Sequence, residues 1–216
     1  MTDTQKGGIA LIAGALSGAT TMLTHPIAKD LLEPERFALM ATVSAISHSI
    51  ALVGSVLLVF GVLALYRCLD LNFRLPLVAL ITYFIGITCT TIAVILSGFV
   101  APQVIGALLK APQAQHDLWQ VFQRYTYMLN QSFSLIYVFA SWTAIVLWSV
   151  ADYRSRRVSP QLGTYGIAAG ILILGLVASG KLHLDVHGFM IVVFAQGIWY
   201  VGMGTALCRL PDAARR

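Results

Sequence analysis

Residues 37–66 run for 30 positions without a single Asp, Glu, Lys or Arg. A water-facing element of that length needs charge, whereas crossing the hydrocarbon core of a bilayer takes about 20 consecutive apolar residues. Five more stretches meet that requirement, at 8–27, 75–100, 130–150, 162–179 and 183–207. Turn and breaker residues separate them: Pro26 and Pro34, Pro76, Pro102 and Pro112, Pro160, and Gly180. Composition agrees, with 58% hydrophobic and 11% charged residues against about 25% charged in soluble domains. The expectation is an all-α fold, one polytopic transmembrane domain of six membrane helices over residues 1–216, with the lipid bilayer as its solvent. Residues 101–129, including an amphipathic run from Trp119 to Gln131, are expected to form a small extracytoplasmic cap.

Counting Lys and Arg orients the bundle. Lys6, Arg67, Arg74, Arg154, Arg156, Arg157, Arg209, Arg215 and Arg216 fall on one side, and Lys29, Arg36, Lys110, Arg124 and Lys181 on the other. The positive-inside rule puts both termini in the cytoplasm, in a cell inner membrane. The first span is too long for a typical signal-peptide core and is expected to stay uncleaved. The net charge of +5 comes from short loops between apolar spans, so nucleic acid is not an expected partner. Cys68, Cys89 and Cys208 show no paired or metal-like spacing, and no disulfide is expected. Gly14 with Gly18 and Gly166 with Gly170 make GxxxG pairs, read as helix contacts within the chain ahead of a dimer.

The central parts of the spans hold no Asp, Glu, Lys or Arg, which disfavours ion-driven transport. Polar residues do recur at helical spacing. Gly14, Gly18, Thr21 and His25 share a face of the first span, Ser44, His48, Ala51 and Ser55 one of the second, and Asn130, Ser134, Tyr137 and Ser141 one of the fourth. Polar faces in a bilayer turn inward. A pocket open to the outer side is expected, with Ser44, Asn130, Ser134 and Tyr137 in its wall.

All five histidines fall toward that side. His183 and His187 stand four apart at the start of the sixth span, the spacing at which two imidazoles on one helix bind one metal. His48 or His25 would add a ligand from a neighbouring helix, and Asp185 would support them as an outer partner. Imidazole suits zinc, copper and haem iron alike. Interfacial packing without a bound metal is the plainer reading of the same residues.

Ser44-xxx-His48 and His183-xxx-His187 resemble motifs of the adiponectin-receptor and alkaline-ceramidase superfamily, seven-helix membrane hydrolases. The resemblance implies zinc on His48, His183 and His187, acting on a lipid amide. The third span here carries no Asp where that family uses one, and six spans stand in place of seven.

The leading functional expectation is an accessory or small-ligand-binding membrane protein with a His-containing pocket, with other membrane subunits as possible partners. A metal- or haem-binding membrane enzyme or redox protein is the alternative, and a transporter of a small neutral solute the second alternative.

Overall fold

A computed structural model describes residues 1–26, 28–69 and 74–210. Among the described residues the chain is helical, without strands. Its elements are α1 (Asp3–Thr24), α2 (Ala28–Leu32), α3 (Phe37–Cys68), α4 (Arg74–Ile95), one π-helical turn (Leu96–Val100), α5 (Ala101–Lys110), a 3-10 turn (Gln113–Gln115), α6 (His116–Ser155), α7 (Pro160–Ala178) and α8 (Val186–Arg209). Six helical stretches are long and apolar enough to cross a membrane. The fold is an all-α bundle, as hydropathy requires: in hydrocarbon a chain must bond its own backbone groups, and a helix does so within one segment.

Local chemistry sets the helix ends. α1 starts earlier than hydropathy indicates because Thr2 and Gln5 form a capping box: the Gln5 amide donates to Thr2 Oγ1 at 3.3 Å, and the Thr2 amide to Gln5 Oε1 at 3.0 Å. Ile27, the expected end of the first span, lies outside the described residues, as do Arg215, Arg216 and the side chain of Lys29 from the charge count. Asp152, fully buried at the end of α6, accepts from the Val158 and Ser159 amides at 2.9 Å each. That clasp ties the α6–α7 turn. Residues 101–129, the expected cap, lie in α5, the 3-10 turn and the first part of α6. α5 continues α4 through the π turn, and α6 is one helix of 40 residues, about 60 Å long.

The helices form a ring in chain order. α1 packs most extensively on α3 and α8, α6 does so on α4 and α7, and lighter α3–α4 and α7–α8 contacts close the ring. The half nearer the termini is solid. Trp142, Trp148 and Trp199 are fully buried there, with Trp148 and Trp199 stacked at 6.2 Å. Their indole N–H groups find partners: Trp199 donates to Ser149 Oγ at 3.0 Å and Trp148 to the Pro76 carbonyl at 3.3 Å.

Where helices touch, they touch at glycine. A Cβ on Gly8 would stand 2.5 Å from the Gly204 carbonyl of α8, and one on Gly14 2.8 Å from the Gly54 carbonyl of α3. Gly61 lies under Leu11, while Gly166 and Gly170 lie against Ser149 and Val146 of α6. Both GxxxG pairs thus make contacts inside this chain. Lipid gives helices no hydrophobic reason to associate, so close approach and its dispersion energy replace it. Gly8→Val is expected to cost about 1–3 kcal/mol through overpacking, read as a lower thermal midpoint in mild detergent. Gly175→Val, with nothing within 4 Å of its Cβ position, should leave the midpoint nearly unchanged.

Candidate functional site

Away from the termini the bundle is hollow. A partly open cavity of about 350 Å³ lies between α1, α3 and α8 on one side and α4, α5 and α6 on the other. That is the lower range of small-ligand pockets. It extends along α1 from His25 to Gly14, about 16 Å, so it is elongated. Most of the wall is hydrocarbon, from residues such as Met22, Leu58, Ile87 and Val193.

The three polar stripes converge on this space. Gly14, Gly18, Thr21 and His25 face it from α1, Ser44, His48, Ala51 and Ser55 from α3, and Asn130, Ser134 and Tyr137 from α6. Each polar group is held by a neighbour. Thr21 Oγ1 lies 3.0 Å from the carbonyls of both Ser17 and Ser47, bridging α1 and α3. Ser134 Oγ donates to Asn130 Oδ1 at 3.2 Å. Deeper in, Tyr137 donates to Gln196 Oε1 and Gln196 Nε2 to Ser141 Oγ, both at 2.6 Å. Ser141 therefore stands behind the wall as a support.

His25 and His48 meet in this wall. Their ring centroids are 4.9 Å apart at 63°. His48 Nδ1 lies 2.7 Å from the Ser44 carbonyl, and His25 Nδ1 lies 2.8 Å from the Pro26 carbonyl. A carbonyl only accepts, so both Nδ1 atoms carry the proton and, in the neutral ring, both Nε2 atoms are acceptors. Burial lowers the pKa of His25, which lies beyond the end of α1. His25 Nε2 lies 3.5 Å from Ser97 Oγ. No hydrogen bond reaches His48 Nε2 from the described residues.

The π turn is the element that sequence periodicity missed. The Ala101 amide bonds back to the Leu96 carbonyl, five residues earlier, and the extra residue turns Ser97 and Gly98 toward the histidines. Gly98 packs against the base of the His48 side chain, and a Cβ there would overlap His48 Cβ and Cγ. Single π turns inside α-helices recur at functional sites. Gln123, Thr126 and Thr90 also line the cavity, and their scattered spacing gave no signal.

His183 and His187 are placed elsewhere. Both are exposed, and neither lines the cavity. The expectation that they share one helix face is corrected by the helix start: Asp185 is the N-cap of α8, its Oδ1 accepting from the Gly188 amide at 2.8 Å. His183 therefore precedes the helix. Asp185 reaches the cavity rim with its carboxylate engaged at the helix end, so it is a cap here, not an outer partner of metal-bound imidazoles.

Zinc on His48, His183 and His187 does not fit this donor set, because two of the three lie outside the cavity that His48 faces. Among the described residues no group of three or more His, Cys, Asp or Glu side chains is gathered as a metal site would need, and a catalytic zinc takes three protein ligands.

The arrangement defines a class, a multi-pass helical membrane protein with an internal, partly open cavity. Comparison with protein-family models, with curated proteins and with solved structures found no match for this chain.

Two outcomes are expected. Tyr137→Phe should destabilise by about 1 kcal/mol by leaving Gln196 Oε1 without its donor, and adding Gln196→Leu should cost less than the two single losses summed, measured by a double-mutant cycle. After loading with excess zinc and desalting, the purified protein is expected to keep well under one equivalent by elemental analysis. Stoichiometric zinc that His48→Ala removes would restore the metal reading.

Proposed function

We propose that the protein is a membrane-embedded binding protein for a small amphipathic molecule. The observation that carries this reading is an elongated cavity on which three polar helix faces converge within a mostly hydrocarbon wall. Such a wall suits a ligand with an apolar body, and the polar groups on it suit a small head. The end of the cavity at His25 is the end that the loops opposite the termini surround, which allows exchange of ligand at the membrane surface.

In this reading the protein lies in a cell inner membrane with both termini cytoplasmic, supported by nine Lys and Arg on the terminal side against five on the other, counted from the sequence. The cavity then opens toward the extracytoplasmic leaflet.

Native mass spectrometry from mild detergent is expected to show the protein carrying a small amphiphile, and Ala51→Phe, which fills the slot midway, to reduce its occupancy several-fold. Equal occupancy in the two proteins would remove the cavity as the binding place. For orientation, His116→Cys in a chain without its native cysteines should react with a membrane-impermeant maleimide from the extracytoplasmic side. Protection there, with labelling from the opposite side, would reverse the topology.

A further inference from the structure

The cavity wall can bond hydrogen but carries almost no charge. Among the described residues no Lys or Arg lines it, and its one carboxylate, Asp185, is engaged by the Gly188 amide. A phosphate, sulfate or carboxylate head entering this space would lose its water and meet no cation to replace it. Anionic lipids and free fatty acids are therefore poor occupants.

The two imidazoles make a positive demand. With both Nδ1–H groups committed to the Ser44 and Pro26 carbonyls, each neutral ring offers only the Nε2 lone pair. A head placed against them must donate. The rings are held for that task from three sides. The Ser44 and Pro26 carbonyls anchor the two Nδ1 atoms, the rings pack on each other at 4.9 Å, and Gly98 of the π turn lies against the base of the His48 side chain. Ser97 stands beside His25 Nε2 at 3.5 Å, and its hydroxyl can accept from a ligand as well as donate.

We infer that the cavity selects neutral amphiphiles whose head carries a hydroxyl donor, received by His48 Nε2 with Ser97 and His25 beside it, over ethers and carboxylates of the same chain. This inference rests on the amphiphile-binding reading above. It explains why two histidines line an otherwise apolar slot, where an imidazole accepts without adding charge.

The test uses the full chain in nanodiscs of zwitterionic lipid, with a radiolabelled long-chain n-alkanol as probe. The unlabelled alkanol, its methyl ether and the fatty acid of equal chain length compete against it. The alkanol is expected to bind about ten-fold tighter than the ether, one net hydrogen bond's worth, with the fatty acid weaker still at neutral pH. His48→Phe should lower alkanol binding to the level of the ether and leave the ether unchanged. Should that variant not fold, Gly98→Ala, whose methyl group displaces the His48 ring, makes the same comparison. Equal binding of alkanol and ether, with both abolished by Ala51→Phe, would overturn hydroxyl selection while the amphiphile cavity stands. A fatty acid that outcompetes the alkanol would overturn it too. Binding of none of the three would remove both readings.

Discussion

Close backbone contact at glycine is the interaction on which this bundle depends. α1 can lie between α3 and α8 only because Gly8, Gly14 and Gly61 place no side chain where the helices meet. Lipid tails solvate a leucine face as well as a partner helix does, so association has to come from packing density and a few interhelical hydrogen bonds. Drawing α1 tightly to α3 and α8, and α6 tightly to α4 and α7, makes two compact triplets. Space between the triplets follows from the tightness within them.

What fills that space differs along the bundle. Toward the termini the large rings of Trp142, Trp148 and Trp199 close it. At the other end small residues such as Gly18, Ala51 and Ser55 are interspersed with aliphatic ones in the facing walls, and the triplets stay apart around the cavity. Polar groups facing the gap are costly in a low-dielectric interior unless paired, and the Tyr137–Gln196–Ser141 chain pairs its members with one another across two helices. His48 Nε2 is the contrasting case, with no hydrogen bond from the described residues although His48 lines the cavity.

Much of the fold was legible because the bilayer leaves few options. Six apolar stretches of sufficient length become six helices, since no other single-segment structure satisfies its backbone in hydrocarbon. The three polar stripes were legible for the same reason, as a 3.6-residue period on a helix of known direction states which residues share a face. The pair His183 and His187 misled because spacing of four means one face only inside a helix, and Asp185, a strong N-cap residue, begins α8 between them. The N-cap signal stands in the sequence itself, since Asp is among the residues that most favour that position. Which helices neighbour one another, and therefore that His25 would meet His48, depends on contacts distant in the chain that periodicity does not encode. The π turn left no compositional trace, because Gly98 in an apolar stretch reads equally well as an ordinary packing glycine.

The π turn has a consequence for how the third membrane segment serves two masters. An α-helix turns about 100° per residue, so one extra residue rotates everything beyond it by that angle. Before the turn, α4 sets Gly86 against the α6 backbone; after it, α5 buries Ile105 and Leu108 and sets Gly106 against Phe37 of α3. A helix of unbroken phase would have to compromise between those two seams. With the offset placed beside His48, the α4 seam and the α5 seam are in effect two gears on one shaft, each free to mesh with its own partner.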